Sequence, residues 1–167
     1  HPDHETVRCR DAARATSAAP TYFEPALIGV HGNQRALVDG GVFLNSPAVS
    51  AYAEALKLYP SEPLMVVSLG TGELVRPIPF ESAKAWGQAG WVMPLLDCIF
   101  DGATKAANHQ MRIFLGDRYI RLQVTLDEAN DDMDDASQSN IDNLKRIADR
   151  LISENEAVLG RILSLSS

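Results

Sequence analysis

A chain of 167 residues with 46% hydrophobic and 22% charged side chains has the make-up of a folded globular domain, which excludes disorder for the chain as a whole and makes one domain over residues 1–167 the expectation. A formal net charge of −7 argues against nucleic acid as the main partner and against a purely electrostatic grip on anionic membranes. The two cysteines, Cys9 and Cys98, form neither a disulfide framework nor a CxxC pair, so a reduced, cytoplasmic setting is the default.

No apolar run approaches the roughly 20 residues that span a bilayer. The first residues, HPDHETVRCRD, lack the apolar core of a signal peptide and a starting Met, so a processed or truncated piece is expected. Residues 10–19, RDAARATSAA, read as a short helix closed by Pro20, and TYFEPALIG reads as extended. The turn residues of VHGN lead into the apolar QRALV, predicting a hairpin that closes on Asp39.

Ser46 is the predicted N-cap, and Pro47 the first residue, of a helix with Val49, Tyr52, Ala53 and Leu56 on its apolar face, ended by Pro60 and Pro63. LMVVSLG (64–70) is the near-continuous apolar run of a strand covered on both faces, with a tight GTG turn after it. Residues 82–93 read as a helix interrupted by Gly87, Gly90 and Pro94, and 95–115 as a longer one. RYIRLQV alternates as a strand, DEANDDMDDASQS is an acidic loop, and the apolar spacing from residue 141 to 163 predicts one amphipathic helix. Helices alternating with three or four strands define an α/β layered domain.

Asp39 ends an apolar strand, and Gly40 and Gly41 follow it. A strand end displays a side chain at the carboxyl edge of a sheet, and two glycines permit positive φ and close backbone approach. A carboxylate held there accepts or orients a proton. Asp-Gly is also a common turn signal, and the tripeptide alone favours that plainer reading.

The flanking motifs shift the balance. Thr16-Ser17-Ala18-Ala19-Pro20, Phe23-Glu24-Pro25, Asp39-Gly40-Gly41, Asn45-Ser46-Pro47 and Ser68-Leu69-Gly70-Thr71-Gly72 follow one another within about 60 residues, in the order seen in one family. The sequence closely resembles the C-terminal half of the catalytic domain of patatin-like phospholipases, with residues 75–167 fitting more loosely. The resemblance implies a three-layer α/β/α fold related to the α/β-hydrolase type, here a partial sheet with flanking helices. It implies a Ser–Asp dyad in which Asp39 is the acid and Gly40 and Gly41 form its supporting turn. A serine would attack the ester carbonyl of a phospholipid or other acyl lipid, giving an acyl-enzyme that water resolves. No cofactor is implied.

The serine itself is missing from these residues. The family carries it in Gly-x-Ser-x-Gly, and no serine here has glycine two positions before and two after. Ser17, the nearest in form, follows helical rather than strand-like sequence and reads as a packing or capping residue. The family's Gly-rich oxyanion stretch is missing as well, so the isolated chain is expected to be inactive. A missing N-terminal half or another chain is expected to complete a sheet left with an unpaired apolar edge. The alternatives are a non-catalytic lipid-binding or scaffold homologue, and a thioesterase or acyltransferase built on the same dyad.

The remaining candidates have plainer explanations. His109, within a predicted helix, reads as structural or solvent-facing rather than as a general base. His1, His4 and His31 have no metal-ligand spacing, and no metal is expected. The acidic run Asp127–Asp135 does not satisfy the EF-hand pattern and reads as a solvated loop before the last helix. Arg8, Arg10 and Arg14 read as salt-bridging rather than headgroup-binding. WGQAGWVMPLLDCIF (86–100) reads as core rather than as a cover touching acyl chains or a bilayer surface, although peripheral membrane contact is compatible with the resemblance.

Overall fold

The structure, a computed structural model, describes residues 7–30, 32–74 and 76–165. His1, His4 and His31 lie outside the described residues. The chain divides into two compact units, residues 1–60 with 95–110 and residues 61–94 with 111–167. The fold is α/β, with two two-stranded sheets and six α-helices among the described residues.

In the first unit, helix α1 (Cys9–Thr16) is followed by an antiparallel hairpin of β1 (Ala26–Val30) and β2 (Asn33–Leu37). Period-2 alternation in β1 points Ala26, Ile28 and Val30 inward, where they cluster with Ala15 and Ala18. The small side chains let α1 and β1 approach closely. α1 stops at Thr16, earlier than residue 19, because the Ser17 hydroxyl turns back onto the Ala13 carbonyl at 2.9 Å.

TYFEPALIG is not extended throughout. Thr21 takes φ 76°, and the amides of Tyr22 and Phe23 fold back onto the Ala19 carbonyl, so β1 begins only at Ala26. Helix α2 (Ala48–Leu58) starts one residue later than expected, with Pro47 as N-cap. The Ser46 hydroxyl is buried and makes no capping bond. Tyr59 closes the helix before Pro60, as the proline requires.

In the second unit, β3 (Val66–Leu69) pairs in parallel with β4 (Tyr119–Leu122), in the register Val66 with Tyr119 through Leu69 with Leu122. The core of this unit includes Met111, Leu115, Tyr119, Ile120, Leu122, Leu126 and Ile147. The expectation that β3 is covered on both faces is corrected. Among the described residues only β4 pairs with it, and Val67 and Leu69 face outward, Leu69 with 72% of its surface exposed.

The polypeptide between those strands forms α3 (Phe80–Ala83) and α4 (Gln88–Leu115), the latter contributing residues to both units. Pro94 does not interrupt α4, because in the second turn it forfeits only one backbone bond, to the Gly90 carbonyl. The reading of residues 86–100 as core is also corrected. Trp91, Val92, Leu95, Leu96 and Ile99 are exposed, whereas the buried residues of α4 lie toward its C-terminus at Ala107, Met111 and Leu115.

The single C-terminal helix is two, α5 (Gln138–Glu154) and α6 (Glu156–Leu165). Asn155 breaks it by donating its side-chain amide to the Leu151 carbonyl at 2.8 Å.

Candidate functional site

Asp39 follows β2 and caps a 3-10 turn at Gly40–Val42. Its backbone N–H donates to the Ala18 carbonyl at 2.9 Å, and its Oδ1 accepts from the Gly41 N–H at 2.6 Å. The side chain is half-buried, and no cation pairs with it among the described residues. Asp39 is thus both the turn residue that the tripeptide announces and a carboxylate with acceptor capacity left over.

Of the two properties expected of the glycines, positive φ and close approach, the structure uses the second. Neither Gly40 nor Gly41 has positive φ. What Gly41 provides is close approach, since a Cβ there would lie 3.0 Å from Asp39 Oδ1 and 3.8 Å from Asn45 Oδ1. Gly40 is less demanding, with Thr16 Oγ1 at 3.6 Å from the corresponding position. Asn45 in turn donates through Nδ2 to Thr104 Oγ1 at 3.2 Å. The Asn-Ser-Pro motif drew attention to position 45, but nothing in the sequence marked Thr104, 59 residues further on.

Beside this turn, an open cleft of about 320 Å³ is lined almost entirely by apolar side chains, among them Val7, Ala15, Ile28, Leu37 and Val38. Val38 and Gly40 border it, whereas Asp39 does not.

Ser17 is engaged with the carbonyls of Ala13 and Arg14, as its helical context implied. Ser68 accepts from the Arg121 guanidinium at 2.9 Å. His109 lies exposed on α4 with no hydrogen bond to Asp39. Arg10 faces Asp11 at 3.6 Å, while Arg14 donates to the Glu24 carbonyl and lies 5.8 Å from the centre of the Phe23 ring. Both cysteines are free and exposed. No helix among the described residues is long and apolar enough to cross a membrane.

The acidic loop is a network of ion pairs and hydrogen bonds. Arg150 grips Asp127 with two hydrogen bonds of 2.9 and 2.7 Å, Arg76 pairs with Asp131, and Arg146 with Glu128. The Arg150 hydrogen bonds hold the Asp127 carboxyl below the usual carboxylate range, and hydrogen bonds from Ser137 and then Asn130 do the same for Asp135. Ser137 caps α5 by accepting from the Asn140 N–H.

The fold and site therefore define an α/β chain that presents one carboxylate on a glycine turn. The sequence profile of the patatin-like phospholipase family matches residues 1–52. Patatin-like protein 1 of Arabidopsis thaliana is 30% identical over 87% of this chain and 43% of its own length. Patatin-like protein 8 of the same plant is 30% identical over 94% of this chain and 34% of its own, and Patatin-2-Kuras 3 of Solanum tuberosum is 27% identical over 85% and 44%. The chain is similar to patatin-like proteins over 85% to 94% of its own length, and it spans less than half the length of these relatives.

Proposed function

We propose that this chain supplies the acid of a Ser–Asp dyad, Asp39, to a phospholipase A-type lipid acyl hydrolase whose nucleophile lies on another stretch of polypeptide. The observation that carries the reading is the carboxylate on the Gly40–Gly41 turn, pinned through its backbone to Ala18 and free of any ion pair among the described residues. The likeness to patatin-like proteins supports the lipid ester as substrate class.

In this reading the serine Oγ bonds to the acyl carbonyl carbon as Asp39 takes up its proton. The tetrahedral intermediate collapses, the ester C–O bond breaks, and the proton passes to the departing lysolipid oxygen. Water then attacks the acyl-enzyme, giving up its proton to Asp39, and free fatty acid leaves as the serine is reprotonated. The uncovered outer face of β3, with Val67 and Leu69, is where completing polypeptide would pack. A reduced cytoplasmic setting, with contact at a membrane periphery, accords with this role.

A non-catalytic lipid-binding or scaffold homologue is the second reading, and the sequence upstream of residue 1 separates the two, since a Gly-x-Ser-x-Gly there supports the enzyme. Hydrolysis of a short-chain acyl ester by the isolated chain tests the proposal. The dyad reading expects no turnover above buffer, whereas robust turnover abolished by Asp39→Asn would mean that a nucleophile lies within residues 1–167.

A further inference from the structure

We infer that Asn45 is a positioning residue for Asp39, itself held in place by Thr104. This rests on the reading of Asp39 as the proton acceptor.

Asp39 Oδ1 gives one acceptor position to the Gly41 N–H, which curls the carboxylate over Gly41. A Cβ at Gly41 would meet Asp39 Oδ1 at 3.0 Å and Asn45 Oδ1 at 3.8 Å, so two side chains converge on the notch that this glycine leaves open. The notch has the Gly41 backbone as its floor, the carboxylate as one wall and the Asn45 carboxamide as the other.

Asn45 is exposed, and an exposed asparagine on a turn ordinarily samples several rotamers. Here the bond from Nδ2 to Thr104 Oγ1 anchors it to α4. A threonine hydroxyl both donates and accepts, so it holds the carboxamide in either orientation. No hydrogen bond joins Asn45 to Asp39. Asn45 acts by limiting the directions in which the carboxylate swings, so that the oxygen not bonded to Gly41 keeps one outward heading for a serine hydroxyl. Displacement of a reacting group by about 1 Å is enough to cost two orders of magnitude in rate.

The test uses the full-length protein with its nucleophile segment and a phospholipid substrate. Asn45→Ala is expected to lower kcat about 10-fold with KM changed by less than about twofold, the pattern of lost alignment rather than lost binding. Thr104→Val, which removes only the hydroxyl, is expected to lower kcat in the same direction, and Thr104→Ser to restore it. The double variant should be no slower than Asn45→Ala, because both changes remove one interaction. An Asp39→Asn protein without activity, alongside Asn45→Ala and Thr104→Val proteins with parental kcat, overturns this inference alone. Activity surviving in Asp39→Asn overturns the dyad reading and this one with it. Should Asn45→Ala not fold, the contrast between Thr104→Val and Thr104→Ser decides: equal kcat in both overturns the inference.

Discussion

The backbone N–H of Asp39 donates to the carbonyl oxygen of Ala18 across 2.9 Å, and Ala18 has none of its surface exposed. The residue that follows the hairpin is thus fastened to the turn that follows α1, and two motifs about twenty positions apart become one site. The fastening depends on a side chain no larger than methyl at position 18, where Ala15, Ala26, Ile28 and Val30 leave little room. Replacing Ala18 with leucine should overpack this cluster and destabilise the fold by about 1–3 kcal/mol. A lowered urea midpoint with an unchanged slope would report it, while a parental midpoint would show that the cluster yields.

The two glycines after Asp39 should differ. Gly40→Ala places a methyl 3.6 Å from Thr16 Oγ1, an ordinary contact, and should leave stability within about 0.5 kcal/mol of the parent. Gly41→Ala places one 3.0 Å from Asp39 Oδ1, so the carboxylate must give way by a few tenths of an ångström and its bond from the Gly41 N–H weakens. That weakening should cost up to about 1 kcal/mol. Parallel denaturation of the two variants reads the difference.

In the second unit, Gly72 has φ 96°, and a Cβ there would lie 2.5 Å from Leu126 Cδ2. Gly72→Ala therefore combines backbone strain with a clash and should destabilise by about 1–3 kcal/mol, seen as a lower melting temperature. At Gly70 a Cβ would sit 2.0 Å from Gln123 Oε1, the atom that accepts from the Gly72 N–H. Gly70→Ala should dislodge Gln123 and weaken the same turn.

These examples show what was legible in the sequence. Helix and strand patterning located most elements, and five ordered motifs indicated the family, because local chemistry sets turns and caps. Other features depend on contacts that no local pattern encodes. Thr104 is chosen by the geometry of α4, the outward face of β3 depends on how many strands pair with it, and Asn155 breaks a helix through a bond to its own backbone. Of the two reasons the sequence offers for the glycines, close approach applies at Gly41, whereas positive φ applies at neither Gly40 nor Gly41.

The acidic loop should make stability fall in acid. Asp127 and Asp135 have folded-state pKa values below their usual 3.8, so their stabilising contribution is complete above that value. It is lost as pH drops through the depressed folded-state values, where protonation breaks the bonds to Arg150 and Ser137. Below about pH 4 the urea midpoint should decline, and Asp127→Asn should flatten that decline. A midpoint that falls as steeply in Asp127→Asn as in the parent would place the acid sensitivity elsewhere.

The most direct measurement is the initial rate of fatty-acid release from phospholipid vesicles by the full-length protein and by its Asp39→Asn variant, both checked for native folding. If Asp39 accepts the serine proton, the rate should fall by about 10²- to 10⁴-fold. A folded Asp39→Asn protein that releases fatty acid within about twofold of the parental rate would contradict the role given to this carboxylate.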